Sequence, residues 1–145
     1  MRRVGLLSTL LLVVVLLTGC LTPKVNFTIH PDPITITAGQ TELTGITLRV
    51  RLSGFSFAYL VEEAVVTLED DKSEEVLREI VEINTQIPII GGLGKDVDLP
   101  DISLEGLADL NELVYDEVLK GKDYQLKITL TGKNPTSAQA VVQFR

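Results

Sequence analysis

The stretch from Ile46 to Ser53 constrains the fold of this chain more than any other. Apolar and polar residues alternate through it, with Ile46, Leu48, Val50 and Leu52 set against Thr47, Arg49, Arg51 and Ser53. Successive side chains on a β-strand point to opposite faces, so the pattern predicts a strand with one packed face and one solvated face.

The same alternation recurs along the chain and predicts a mostly β protein. Further strands are expected over residues 25–29, 34–37, 64–68, 79–90, 124–130 and 138–144. Phe55, Phe57 and Tyr59 alternate in the opposite phase, which predicts a bend or bulge at Ser53-Gly54. Residues 74–90 fit helical spacing as well, but their β-branched residues favour a strand. Lys95 to Asp101 is expected to be an acidic loop.

One amphipathic helix is predicted from Leu104 to Leu119. Ser103 is the expected N-cap and Gly121 the expected left-handed residue after the helix. Leucines and valines recur at helical spacing on one face. The opposite face is acidic and is a candidate interaction face, formed by Glu105, Asp109, Glu112 and Asp116. A solvated helix surface is the simpler interpretation of these four residues.

Short strands separated by turns, with one helix, predict an immunoglobulin/fibronectin-like antiparallel β-sandwich. The amphipathic helix precedes the last two strands, which form a hairpin, and it serves as a crossover or covers an open sheet edge. The segment from Leu119 to Tyr124 resembles the tyrosine corner of such sandwiches, with Tyr124 opening the penultimate strand.

The N-terminus has the pattern of an export signal. Arg2 and Arg3 precede an apolar run from Val4 to Leu17, which is too short for a membrane span. Leu17-Thr18-Gly19-Cys20 follows and resembles the lipobox of bacterial lipoprotein precursors. An ordinary secretory peptide with a chance cysteine is the alternative. The expected domains are a signal peptide at 1–19, a lipidated cysteine and tether at 20–24, and one sandwich at 25–145.

The lipobox resemblance implies a diacylglyceryl group on Cys20 and cleavage before it. Two or more acyl chains give a stable anchor, so the membrane is one expected partner. Leu21 follows the cysteine, which in a host with two membranes favours the outer one over the cytoplasmic membrane. The protein then faces the periplasm or the exterior.

Charge argues against nucleic acid as a partner. Once Arg2 and Arg3 are removed, 11 basic residues remain against 20 acidic ones, a net charge of about −9. Such a chain repels phosphate backbones. Cys20 is the only cysteine, so no thiol remains after lipidation to form a disulfide or a thiolate metal site.

A second resemblance begins at the Ile46 strand. Ile46-x-Leu48-x-Val50-x-Leu52, Ile83-x-x-x-Ile87-Pro88-Ile89, the helix, Gly121 and the Tyr124 strand are similar to the late-embryogenesis-abundant group 2 domain, also called the water-stress and hypersensitive-response domain. That family has Asn-Pro after its strong strand, where this chain has Ser53-Gly54. The resemblance implies a fibronectin-like sandwich that protects other proteins under stress.

The sequence contains no pattern that predicts catalysis, a cofactor or a metal. His30 is the only histidine, and G-x-S-x-G, P-loop and dinucleotide-binding patterns do not occur. Asp96, Asp98 and Asp101 lack EF-hand spacing, so they are expected to form a polar turn. We therefore expect a non-enzymatic envelope protein with a protein partner. Stress protection and an unrecognised carboxylate enzyme are the alternatives.

Overall fold

The computed structural model describes residues 24–53, 58–88, 94–105, 107, 112–132 and 135–145. Alternating sequence forms most of the strands within these ranges. The strands are β1 Lys24–His30, β2 Ile34–Ile36, β3 Glu42–Leu43, β4 Thr47–Ser53, β5 Ala58–Glu69, β6 Glu75–Pro88, β7 Lys95–Asp98, β8 Ile102–Ser103, β9 Asp123–Leu130 and β10 Thr136–Phe144. The helix α1 spans Glu112–Val118.

Two main sheets form the predicted β-sandwich. One has the order β1-β4-β7 and the other the order β2-β10-β9-β5-β6, while β3 and β8 form a small third sheet. All neighbours are antiparallel except β2 and β10, which are parallel. In immunoglobulin terms, β1, β4 and β7 occupy the places of strands A, B and E, and β5, β9 and β10 those of C, F and G.

The core lies between the two main sheets. On β1 and β4 the inward residues are buried at every second position, as the alternation predicts. The facing side chains on β9 and β10 follow the same period. The inward residues of these four strands are Val25, Phe27, Ile29, Leu48, Val50, Leu52, Tyr124, Leu126, Ile128, Leu130, Ala140, Val142 and Phe144.

The predicted helix is shorter than expected. The prediction from Leu104 is wrong because strand pairing holds this segment: Leu43 pairs with Ile102, and the Leu104 amide donates to Thr41 O at 2.8 Å. Ser103 is consequently a strand residue, and its hydroxyl accepts from the Glu105 amide at 3.3 Å. The helix does precede the last two strands, and Gly121 has the predicted positive φ of 74°.

Two other segments differ from the sequence expectation. Strand β6 begins at Glu75 rather than Glu79, because a tight turn joins it to β5. In that turn the Asp70 carboxylate accepts from the amides of Lys72 and Glu74 at 2.9 and 2.8 Å. Lys95–Asp98 is a strand rather than a loop, since it pairs with β4 and buries Val97. The predicted bend at Ser53-Gly54, with Phe55 and Phe57, extends outside the described residues.

Tyr115 takes the role that the sequence assigned to Tyr124. The Tyr115 side chain is fully buried, and its hydroxyl donates to Ile36 O at 2.9 Å and lies 3.3 Å from Arg145 O. The Tyr124 ring packs edge-on against Phe144, but its hydroxyl has no hydrogen bond with any described residue. Tyr115 therefore holds α1 against the ends of β2 and β10, with β2 at the edge of its sheet.

Candidate functional site

The outer face of the three-stranded sheet carries a polar surface. Strand register arranges its side chains in rows: Asn26 lies opposite Arg51, Thr28 opposite Arg49 and Asp96, and His30 opposite Thr47 and Asp98. These side chains face solvent because the intervening residues of each strand point into the core. We call this surface the polar face.

A groove of about 470 Å³ runs across the polar face. It is lined by Asn26, Phe27, Thr28, His30, Arg49 and Arg51. The polar groups in the lining are guanidinium, amide, imidazole and hydroxyl groups, so their chemistry suits an anionic or hydrogen-bonding ligand. The groove lies on one side of a single sheet, and water therefore reaches it freely.

Arg49 is held by an acidic partner. Its Nε donates to Asp96 Oδ1 at 3.0 Å and its Nη2 donates to Oδ2 at 3.3 Å, which is a bidentate arrangement. The hydrogen bond from Arg49 lowers the pKa of Asp96 and raises that of Arg49. Both side chains are about half exposed, at 51% and 52%. The pair thus fixes the direction of Arg49 more than it stabilises the fold.

Arg51 differs from Arg49 in its surroundings. It is exposed, and no described residue provides it with a hydrogen bond or an ion pair. Gly94 lies beside it: a Cβ at this position would be 3.2 Å from Arg51 Cγ and 3.0 Å from Val50 O. The aliphatic part of Arg51 therefore lies against the Gly94 backbone, and its guanidinium is available to a ligand.

His30 pairs with a threonine, a contact that sequence reasoning missed. The distance from Thr28 Oγ1 to His30 Nε2 is 3.1 Å. The two residues are two apart on one strand, so the period of a strand was the signal that could have found them. Activating a hydroxyl nucleophile also requires a group that orients the base, and no hydrogen bond to the other ring nitrogen occurs among the described residues.

The predicted acidic face is only partly described. Glu105 lies in a turn before α1, Glu112 is the first residue of α1, and Asp109 lies outside the described residues. Asp116 accepts from Lys120 Nζ at 2.9 Å, an exposed pair within one helical turn. Helical spacing therefore does not extend to Glu105, and the role of this face in binding stays a prediction.

The three clustered aspartates do not converge on a shared point. Asp96 is paired with Arg49, and Asp98 accepts from the Thr47 hydroxyl at 2.8 Å. Across the described ranges, no group of three histidine, cysteine or acidic residues could hold a metal ion. Cys20, the predicted lipidation site, lies outside the described residues.

No helix among the described residues is long and apolar enough to cross a membrane. Neither a protein-family model nor a curated protein matches the chain.

Proposed function

We propose that this chain is a lipid-anchored, non-enzymatic protein of a bacterial cell envelope, in which the sandwich acts as a protein-interaction or structural module. The observation that carries the proposal is the position of Cys20. It ends the apolar run in the pattern Leu17-Thr18-Gly19-Cys20, and β1 begins only four residues later at Lys24. An export signal, a lipid anchor and a domain then follow one another directly.

The chemistry of the polar face favours binding over catalysis. Catalytic groups act most strongly in a site that excludes water, whereas the groove on this face is open to solvent. Its charged side chains are arginines, one of them paired with Asp96. Such groups recognise carboxylates, phosphates or backbone carbonyls.

Replacing the anchor cysteine tests the localisation. We expect Cys20→Ser to abolish incorporation of labelled palmitate and to leave the protein unprocessed at this site. Thr18→Ser is the matched control, because it keeps a small residue before Gly19 and should be processed normally. A Cys20→Ser chain that remains lipidated and membrane-bound contradicts the proposal.

Co-purification tests the module. The intact lipoprotein, isolated gently from membranes, should bring one envelope protein in a fixed ratio. Glu105→Gln, Glu112→Gln and Asp116→Asn together should release that partner if the acidic face binds it. Asp71→Asn with Glu74→Gln, which removes charge from the exposed β5–β6 turn, is the control. If only the control variant loses the partner, the interface lies at the β5–β6 turn and not on the acidic face.

Stress protection is a second candidate because apolar side chains lie exposed on the long strands β5 and β6. Ile80 is 61% exposed, Leu60 is 50% exposed, and Val65 is paired with Ile80 across the strands. Exposed apolar surface can hold unfolding proteins. The protein should then suppress heat aggregation of unrelated enzymes, and Ile80→Ser should weaken this effect while Thr35→Ser should not. Unchanged aggregation with the natural chain excludes this role.

A further inference from the structure

Charge on the polar face is graded along the strands. At the start of β1, Lys24 is paired with Ser53, and the next row has Arg51 beside Asn26 and Gly94. The third row is neutral, because Arg49 is paired with Asp96. The acidic residue Asp98 comes only in the fourth row. The arginine that no described residue pairs, Arg51, therefore lies near the end of the sheet where β1 begins, which we call the basic end.

The same two ends can be assigned on the larger sheet. Lys95, at the start of β7, donates from Nζ to Gln86 O on β6 at 3.2 Å, which places that part of β6 beside the basic end. Glu79 accepts from the amide of Ser103, which follows β7, so β6 runs from the far end towards the basic end. The β5–β6 turn consequently lies at the far end, where residues 69–75 contain five acidic residues and one lysine.

The tether fixes which end lies nearest the membrane. If Cys20 is lipidated, three residues separate the anchor from Lys24, and the four Cα–Cα steps span at most about 14 Å. Outward rows on a strand are spaced by about 6.6 Å, so Asp98 lies about 20 Å beyond the Lys24 row. The potential of an anionic bilayer decays over about 8 Å at physiological salt. Arg51, one row beyond Lys24, therefore experiences this potential more strongly than Asp98, which lies two rows further on.

From this gradient we infer that the basic end of the polar face docks, through Arg51, on the anionic phospholipid headgroups of the membrane that holds the anchor. The sandwich then stands with its strands directed away from the bilayer and its acidic β5–β6 turn outermost. The inference rests on the proposed anchor at Cys20. The negative net charge of the chain does not exclude such docking, because one basic end can face an anionic surface.

The test uses the mature lipoprotein in vesicles of phosphatidylcholine, with or without phosphatidylglycerol. Alkylation of Cys20 leaves no native thiol, so Asn26→Cys and Lys72→Cys each introduce one site for a fluorophore. A quencher attached to lipid headgroups then reports the approach of each site to the bilayer. Phosphatidylglycerol should increase quenching at position 26 and not at position 72, and high salt should reverse the increase.

Arg51→Gln and Arg78→Gln form the matched pair of variants, because both remove one exposed arginine charge and Arg78 lies on β6, paired with Glu75. Arg51→Gln should lower the ratio of docked to undocked protein about fivefold, the effect of one basic residue near an anionic surface. Arg78→Gln should not lower it. Equal quenching at position 26 with and without phosphatidylglycerol, or equal loss in both variants, overturns the inference.

Flotation of the vesicles separates this inference from the proposal beneath it. Protein that does not float with either vesicle contradicts the lipid anchor, and the docking inference fails with it. Protein that floats equally with both vesicles but shows no quenching difference retains the anchor and refutes only the docking.

Discussion

Replacing Tyr115 by Phe removes a single hydroxyl from a fully buried site. That hydroxyl has one proton to donate, and Ile36 O at 2.9 Å is its nearer acceptor. Ile36 O also accepts from the Arg145 amide at 2.9 Å, so it keeps a partner after the substitution. The cost is therefore the net value of one hydrogen bond, about 1 kcal/mol, rather than the 1–3 kcal/mol of an orphaned buried group.

Urea unfolding followed by circular dichroism measures this cost. In thermal unfolding, the melting temperature should fall by about 4 °C. Tyr124→Phe is the matched control, because the Tyr124 hydroxyl has no hydrogen bond with the described residues; its cost should be about 0.5 kcal/mol or less. Tyr115→Ala, which also removes the ring packed at 6.1 Å from Phe144, should cost about 3–5 kcal/mol. A larger loss of stability from Tyr124→Phe than from Tyr115→Phe refutes the reasoning and supports a tyrosine corner at Tyr124.

Three further effects follow from the same contacts. Burial raises the pKa of Tyr115 and Tyr124, so the folded chain holds both phenolic protons more tightly than the unfolded chain. The free energy of unfolding should therefore fall as pH rises past about 10. Ultraviolet titration in which both phenols ionise like free tyrosine contradicts this. The hydrogen bond from Arg49 lowers the pKa of Asp96. The stability that the Asp96 carboxylate contributes is therefore present above the ordinary carboxyl pKa and is lost as pH falls through the lowered pKa. Asp96→Asn should remove this acid dependence from urea unfolding, and an unchanged pH profile of stability contradicts the assignment. Gly121→Ala meets no atom within 4 Å but places a side chain at φ 74°, so it should cost about 1–2 kcal/mol in unfolding experiments, and a neutral result contradicts the assigned backbone conformation.

The strands that alternation predicted best are those with one face in the core. β1, β4, β9 and β10 lie within two residues of their predicted bounds, because every second residue in them is buried and the pattern records that directly. β6 was harder to predict because it is an edge strand with weaker burial. Val76 and Ile80, which fit a helical period in the sequence, are exposed on it, so their hydrophobicity does not report the core.

Long-range pairing explains the elements that the sequence did not predict. Residues 95–98 are a strand because β4, about 47 residues earlier, offers them partners. Their own composition is three charged residues around Val97, which favours a loop. Leu104 likewise leaves the predicted helix because its amide is bound by Thr41. Local propensity is weak at both sites, and the tertiary partner determines the structure.

The polar face combines a contact that could be predicted within one strand with a contact that depends on strand pairing. Thr28 and His30 share one strand, so their contact was available from the two-residue period alone. The Arg49–Asp96 pair required the register of β4 against β7, and β7 was not predicted as a strand. The sequence therefore contained the side chains of this face but not their arrangement in rows. The charge gradient becomes visible only when register places Asp96 beside Arg49 and leaves Arg51 beside Gly94.

Tyr115 shows why a hydrogen bond that a sequence motif predicts for one tyrosine can be made by another tyrosine. Ile36 ends β2 and Arg145 directly follows β10, and the Arg145 amide donates to Ile36 O. This pair has only three residues in register, at the edge of the larger sheet, so it gains from a third contact. Tyr115 provides that contact from α1. Because both acceptors are backbone carbonyls far away in sequence, the pattern from Leu119 to Tyr124 favoured Tyr124, whose ring packs against Phe144 instead.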